Sequence, residues 1–298
     1  MPMHDDQIDV TAETVAALVR EQFPQWAGQE VRALPSAGTV NAIFRIGDGL
    51  AARFPLRRAD PAAARSDLER ESRASAELAQ ISPFPVPEPV ALGEPGPGYP
   101  LPWLVQTWLP GTIATDADPS SSEAFADDLA TFIHALRQAD TAGRHFNGSG
   151  RGGILTDHDE WMETCFQRSE PFLDVPPLRR LWSRLRALPR TSPDVMTHGD
   201  LIPGNVLVSQ NRLVGVLDTG GFAPADPALD LVAAWHLLER TPRQLLRKAL
   251  NSDDLEWERG RAWAFEQAMG LVWYYGETNP PMARLGRQTL ARLLAPDA

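Results

Sequence analysis

The chain has 298 residues, 43% hydrophobic and 22% charged, which is enough for a sizeable core or for two lobes. A formal charge of −11 without a basic face excludes the usual electrostatic footprint of a duplex-binding protein, and a single cysteine, Cys165, excludes an internal disulfide framework and a cysteine zinc cluster. No stretch reaches the roughly 18 apolar residues of a membrane span, and MPMHDDQIDV lacks a basic segment followed by an apolar run, so a soluble protein in the reducing cytoplasm is expected.

In chain order, Thr11 to Phe23 reads as a first helix, capped by Thr11, with Val15, Leu18 and Val19 on one face. Asn41–Ile46 and Leu50–Phe54 read as two strands joined through Gly47-Asp48-Gly49, a hairpin signal. Pro61 to Leu78 is rich in alanine, leucine and charges and reads as a helix carrying Glu69 and Glu71. The proline-rich stretch from Pro83 to Pro102 opposes helix, while PVALG and WLVQTWL suit short strands. These elements together make a small α+β lobe.

After Leu109-Pro110-Gly111 the pattern turns helical. Glu123 to Arg137 is amphipathic through Phe125, Leu129, Phe132, Ile133 and Leu136. A further helix is expected around Leu178–Leu188, and Ala228 to Leu294 reads as largely helical. Asn205–Ser209 and Leu213–Leu217 read as strands flanking a turn at Gln210–Asn211. Ser120–Ser122 and Ser149–Gly153 read as loops, and no internal repeat is present.

The chemistry concentrates in THGDLIPGNVLVSQNRLVGVLDTGG, Thr197 to Gly221. A hairpin returns the chain to its starting end, so Asn205 at its entry and Asp218 at its exit share one rim, with Asp200 in the loop leading in. Two carboxylates and an amide oxygen suit magnesium, which takes few protein ligands and completes its shell with water and phosphate oxygens. Phosphoryl transfer divides labour in this way: one acid aligns a hydroxyl and accepts its proton, while another acid and an amide hold metal against the phosphates.

The pattern HGD-x4-N-x12-D resembles the catalytic loop and metal aspartate of the kinase-like aminoglycoside phosphotransferase family. The resemblance implies a protein-kinase-like α+β fold of two lobes, a small strand-containing nucleotide-binding lobe over 1–108 and a mainly helical catalytic and substrate-binding lobe over 109–298. It implies Asp200 as catalytic base, Asn205 and Asp218 as Mg2+ ligands, and His198 as a brace for the loop. Ser36-Ala37-Gly38-Thr39-Val40-Asn41 resembles the family's nucleotide-covering loop, which makes Gly38 and Thr39 phosphate neighbours. Leu50-Ala51-Ala52-Arg53 stands where kinases have V-A-I-K, so Arg53 would pair with the nucleotide phosphates. Glu71, rather than Glu69, would orient it. Gln106 and Trp108, in the segment Gln106 to Gly111, stand at the expected hinge, whose backbone meets the base. In Asp226-Pro227-Ala228-Leu229-Asp230-Leu231, Asp230 matches an acid that braces the catalytic loop.

Two departures from the family pattern stand out. Thr219-Gly220-Gly221 follows the metal aspartate in place of an aromatic residue, and Ile202 stands where many relatives carry histidine.

The implied activity is transfer of the γ-phosphate of ATP or GTP to a small-molecule hydroxyl, with an aminoglycoside or related antibiotic as the leading acceptor. Macrolide and sugar-like metabolite acceptors stay open, as does a non-catalytic nucleotide-binding protein. A cationic acceptor would call on Asp157, Asp159, Glu160 and Glu163, which read first as solvated helix acids. Trp161, Trp273, Tyr274 and Tyr275 read as core or as a pocket wall. His158 reads as a solvated helix start and Cys165 as packing. No nucleic-acid or membrane partner is expected, and oligomeric state leaves no trace in the sequence.

Overall fold

The computed structural model describes residues 7–34 and 40–295. Gly38 and Thr39, the expected phosphate-covering residues, lie outside the described residues. The chain divides into two compact units. One comprises Met1–Gln80, Pro85–Pro110 and Leu217–Gly220, and the other comprises Ile81–Phe84, Gly111–Val216 and Gly221–Ala298.

The first unit begins with helix α1 (Ala12–Gln22), capped by Thr11, whose hydroxyl accepts from Thr14 N at 3.2 Å. Its sheet holds strands β1 (Val31–Ala33), β2 (Asn41–Ile46) and β3 (Leu50–Pro55). Helix α2 (Pro61–Ile81) follows, and then strands β4 (Pro89–Gly93) and β5 (Trp103–Thr107) complete the sheet. The order is β1-β2-β3-β5-β4, every neighbouring pair antiparallel. Strand β3 is therefore central, with hydrogen-bonded neighbours on both edges. The core forms around Phe54, which stacks on Trp103 at 4.8 Å and meets the edge of Tyr99 at 4.8 Å. The Tyr99 hydroxyl donates to Pro55 O at 2.7 Å, which satisfies the polar end of a buried ring.

Strand β1 escaped the sequence reading because its three residues, Val-Arg-Ala, are too few to show a period, and two of them are exposed. Helix α2 runs past its expected end at Leu78 to Ile81, up to the proline-rich stretch.

In the second unit, a ribbon of strands β6 (Thr112–Ile113), β8 (Val206–Ser209) and β9 (Arg212–Val216) lies in the order β6-β8-β9. Strands β7 (Val195–Thr197) and β10 (Ala223–Ala225) form a second, two-stranded pair. The turn at Gln210–Asn211 has both residues at positive φ, 50° and 57°, as a two-residue hairpin turn demands. The register pairs Val206 with Val216, so the chain leaves the hairpin at the end where it entered.

The helices of this unit are α3 (Ala114–Ala117), α4 (Glu123–Gln138), α5 (Asp159–Ser169), α6 (Val175–Leu185), α7 (Val232–Leu237), α8 (Arg240–Ala249), α9 (Asp254–Tyr274) and α10 (Pro280–Leu294). Helix α6 starts three residues before its expected position because Pro176 and Pro177 fit a first turn, where no N–H is needed. Helix α9 packs against α5, α6, α7 and α10 and buries Trp257, Trp263, Phe265 and Met269 on several faces. A helix surrounded in this way shows little amphipathic pattern. Among the described residues, no helix is long and apolar enough to cross a membrane.

Candidate active site

The expected site residues fall into two clusters, one in each unit. The first is built on the central strand β3. Arg53 is buried there, opposite Ile43 on β2 and Leu104 on β5. Its Nη2 lies 3.3 Å from Asp218 Oδ1 and 3.6 Å from Glu71 Oε2. On α2 the residues Leu68, Glu71, Ser75 and Leu78 recur at helical spacing; Leu68, Ser75 and Leu78 are buried, so Glu71 shares the inward face. Glu69 lies off that stripe and pairs with Arg65 at 3.6 Å. The helix period therefore selects Glu71 over Glu69 as the partner of Arg53. Burial raises the Glu71 pKa, with Arg53 opposing and Asp218 reinforcing the shift.

Asp218 adopts φ 55°, a left-handed conformation that aspartate tolerates better than most residues, and its side chain is 53% exposed. A carboxylate held on strained backbone, half open to solvent and flanked by a buried guanidinium, is suited to a ligand rather than to packing. The residues after it explain the missing aromatic. Thr219 is buried and its hydroxyl bonds Ser75 Oγ at 2.8 Å. A Cβ on Gly220 would come within 2.8 Å of Glu71 Cγ, so only glycine fits there. In this chain a polar contact and a close backbone approach take the place of an aromatic plug.

Gln106 sits on β5 between Ala51 and Pro89. The Trp108 N–H donates to Gly49 O at 2.8 Å, and the Arg45 guanidinium lies 5.0 Å from its ring centroid. The amide of Trp108 is thus committed to Gly49, and one face of its ring to Arg45.

The second cluster surrounds Asp200. Asn205 ends a 3-10 turn (Pro203–Asn205), one residue before the strand in which the sequence placed it. Its Nδ2 donates both to Asp200 O at 2.9 Å and to Asp200 Oδ2 at 2.8 Å. The amide orientation is thereby fixed, and its Oδ1 is turned away from Asp200 as an oxygen donor. Asp200 Oδ1 accepts from Arg151 Nη2 at 2.9 Å and from Gln267 Nε2 at 2.6 Å. Burial pushes the Asp200 carboxyl up, but the charge and hydrogen bond of Arg151 outweigh it and hold the group below its ordinary value.

The loop is braced from behind. Asp230 Oδ2 accepts from His198 N at 2.9 Å and Oδ1 accepts from Gly199 N at 2.8 Å. His198 is buried, and its Nδ1 accepts from Asp200 N at 3.2 Å. Both residues hold the backbone of the loop, the place the resemblance implied for them. Burial raises the Asp230 pKa, against the pull of His198 and the two N–H donors.

Arg151 and Gln267 escaped the sequence reading. Arg151 stands in a glycine-rich stretch read only as a loop, and Gln267 is one polar residue in a long helix. The clue to Gln267 was its place one turn before Gly270 and Leu271 in EQAMGLVWYY. Behind it, His236 Nε2 lies 3.2 Å from Gln267 Oε1, and His236 Nδ1 lies 2.9 Å from Thr289 Oγ1. Because a carboxylate only accepts, Gln267 Nε2 must face Asp200 and Gln267 Oε1 must accept from His236. His236 therefore carries a proton on Nε2, and burial pulls its pKa from 6.5 to about 3, which favours the neutral ring.

That shift has a measurable consequence. The folded-state pKa lies below the unfolded one, so the unfolded chain takes up a proton first as pH falls. Stability from this residue is complete above pH 6.5 and is lost between there and about 3. The loss approaches about 1.4 kcal/mol per pH unit. Denaturant unfolding from about pH 7 to about pH 5 should show a shallower slope for His236→Gln than for wild type. Parallel slopes would contradict a neutral buried His236.

The remaining candidates divide sharply. Asp159 is held by Arg186 and by Trp182 Nε1, and Glu163 is held by Arg179 and Gln167. Asp157 and Glu160 are exposed. His158 is not the solvated helix start expected of it: it bonds Glu266 at 3.0 Å and packs against Trp263. Cys165 is buried, and burial pushes its thiol up to about 12, which removes it as a nucleophile.

On α9, Gln267, Gly270, Leu271 and Tyr274 share one face. Gln267 reaches Asp200, Trp161 covers Gly270, and Leu271 packs with Ile202, Leu285, Tyr275 and Met282. Trp161 is 39% exposed and Tyr274 44%. The exposed aromatic rings of Trp161 and Tyr274 thus lie beside the α9 face that carries Gln267, while Ile202, where many members of the resembled family carry histidine, is buried against Leu271 and Leu285.

Comparison with known proteins places the chain in a family. The model of the phosphotransferase enzyme family matches residues 30–263. An aminoglycoside 3'-phosphotransferase of Escherichia coli is 31% identical over 143 residues, covering 46% of this chain and 52% of the relative. The match thus spans about half the length of the curated relative. Among solved structures, the GDP and kanamycin complex of APH(2")-IIia aligns over 94% of this chain and 97% of that one, with a TM-score of 0.70 at 19% identity. The macrolide 2'-phosphotransferase MphH from Brachybacterium faecium aligns over 96% and 99%, with a TM-score of 0.59 at 19% identity. At these identities the structural likeness shows a shared α+β fold. With the family model spanning most of its length, the chain belongs to the phosphotransferase enzyme family.

Proposed function

We propose that this protein is a magnesium-dependent kinase that moves the γ-phosphate of ATP or GTP to a hydroxyl of a small molecule. The observation that carries this reading is the fixed pair Asp200–Asn205. Asn205 is pinned by two donated bonds so that its Oδ1 is left for a cation, and Asp200 is ionised with Oδ2 still able to accept. Among the described residues, no cluster of three or more His, Cys, Asp or Glu is placed to hold a metal. Magnesium needs only one or two protein oxygens and draws the rest from phosphates and water.

Asn205 and Asp218 would hold the magnesium, which when bound offsets charge on the phosphate oxygens. Arg53, oriented by Glu71, contacts the nucleotide phosphates. Asp200 Oδ2 accepts a hydrogen bond from the acceptor hydroxyl and aligns it with the γ-phosphorus. The hydroxyl oxygen forms the new P–O bond, the bond to the β-phosphate oxygen breaks, and the nucleoside diphosphate leaves. The proton passes to Asp200. A carboxylate of lowered pKa is a weak base, so alignment supplies most of its effect. The lone buried Cys165 agrees with a cytoplasmic setting.

For the acceptor, an aminoglycoside is the first candidate, since kanamycin is bound in a relative of the same fold. A macrolide or small metabolite is the second. The exposed Trp161 and Tyr274 and the commitment of Asp159 and Glu163 to arginines are the observations that favour the second candidate, as an acceptor with apolar surface. Acceptor-dependent release of ADP or GDP, measured over aminoglycosides, macrolides and sugar-like alcohols, decides between them. Release with none of these acceptors, beside tight magnesium-dependent nucleotide binding, would favour a binding protein over a kinase.

A further inference from the structure

We propose that Arg151 and Gln267 form a positioning clamp on Asp200, holding Oδ1 so that Oδ2 alone faces the acceptor hydroxyl. The inference rests on the phosphotransfer reading and assigns roles to two residues outside the catalytic pattern. A carboxylate offers about four lone-pair sites. Arg151 Nη2 and Gln267 Nε2 fill those of Oδ1, and Asn205 Nδ2 fills one of Oδ2. One site on Oδ2 remains, beside the amide expected at the metal. An unclamped aspartate rotates between rotamers and presents either oxygen. A clamped one presents the same oxygen at every turnover.

Both jaws are set by buried structure. The Arg151 loop is tied down at the next two residues: Gly152 O accepts from Asp226 N at 2.9 Å, and Gly153 O accepts from Arg259 Nη2 at 3.2 Å. Gly152 has φ 105°, and a Cβ there would come within 2.7 Å of Ala225 Cβ. Only glycine brings this loop so close to β10 with that backbone. Arg151 Nη2 also reaches Gly199 O at 3.3 Å, so the guanidinium spans side chain and backbone of the catalytic loop. The second jaw is Gln267, whose amide is oriented by His236 and, through it, by Thr289. The two jaws come from opposite sides of the chain order, a loop before α5 and the middle of α9.

The test uses the full chain with Mg2+ and ATP or GTP, reading transfer to kanamycin and hydrolysis to water. Arg151→Ala should lower kcat about a hundredfold, since a misplacement of about 1 Å has that effect. KM for the nucleotide should stay within about threefold, because only the chemical step loses its geometry. Arg151→Lys, or guanidinium ion added to Arg151→Ala, should recover about tenfold. An unchanged kcat overturns the clamp. So does a lost kcat that neither lysine nor guanidinium recovers, since Arg151 then only supports the fold. A thermal double-mutant cycle of Arg151→Ala with Asp200→Asn separates the two claims. Additive losses overturn the pairing while leaving the kinase reading intact. Coupled losses in a protein without turnover overturn the kinase reading and uphold the pairing.

Discussion

Replacing Asp200 by asparagine is expected to lower kcat by about a thousandfold or more, with nucleotide affinity changed by no more than about threefold. The substitution is nearly isosteric, yet it conflicts with the site chemically. In the native protein both carboxylate oxygens accept: Oδ1 from Arg151 and Gln267, Oδ2 from Asn205. An asparagine has one accepting oxygen. If that oxygen stays with Arg151 and Gln267, its NH2 meets the NH2 of Asn205. If it turns to Asn205, its NH2 meets two donors. Either way donors are left facing donors and the negative charge is gone: the first orientation removes the acceptor for the hydroxyl and disturbs Asn205, and the second drives Arg151 and Gln267 off the side chain. Steady-state kinetics, together with nucleotide titration of the variant, check this. A variant that keeps more than about a tenth of wild-type kcat would remove Asp200 from the chemistry.

The largest effect on stability is expected at Arg259. Its side chain is 4% exposed, that of Asp226 is 2% exposed, and the two are paired. Arg259 also donates to Leu188 O at 2.9 Å and Gly153 O at 3.2 Å, while Asp226 accepts from Trp263 Nε1 at 3.1 Å and from Ala228 N at 3.0 Å. Arg259→Met leaves a buried carboxylate without its countercharge and two carbonyls without their donor. Breaking a buried pair in this way costs about 3–5 kcal/mol. That is a large share of the roughly 5–15 kcal/mol that keeps a typical domain folded. Asp226→Asn, placed on top of Arg259→Met, should recover part of the loss because the stranded charge disappears. Denaturant midpoints of the four proteins measure this. A double variant no better than the sum of the singles would contradict the account. Because Gly153 belongs to the loop that carries Arg151, kcat should also fall in Arg259→Met under conditions where it remains folded.

The sequence was most legible where period and spacing agree. The β2–β3 hairpin announced itself through alternation around Gly47-Asp48-Gly49, and α4 through its apolar stripe. The pattern from His198 to Asp218 was visible because a loop, a turn and a hairpin are local in sequence. The partners of Asp200 were not. Arg151 lies 49 residues from it and Gln267 lies 67, and neither residue type is distinctive alone. Helix α9 hid its functional face because it is buried on most sides and carries no amphipathic rhythm. His158 was misread as solvated because its partner, Glu266, is 108 residues away. The triplet after Asp218 departed from the family pattern for a reason that only the fold displays, the contact of Thr219 with Ser75 and the closeness of Gly220 to Glu71.

The measurement that bears most directly on the kinase reading is the mass of the acceptor after incubation with Mg2+ and ATP or GTP. Phosphoryl transfer predicts a gain of about 80 Da on one hydroxyl-bearing scaffold, absent with Asp200→Ala and absent without the triphosphate. An acceptor that binds tightly and is returned unchanged, or a product that forms equally well with Asp200→Ala, would contradict it.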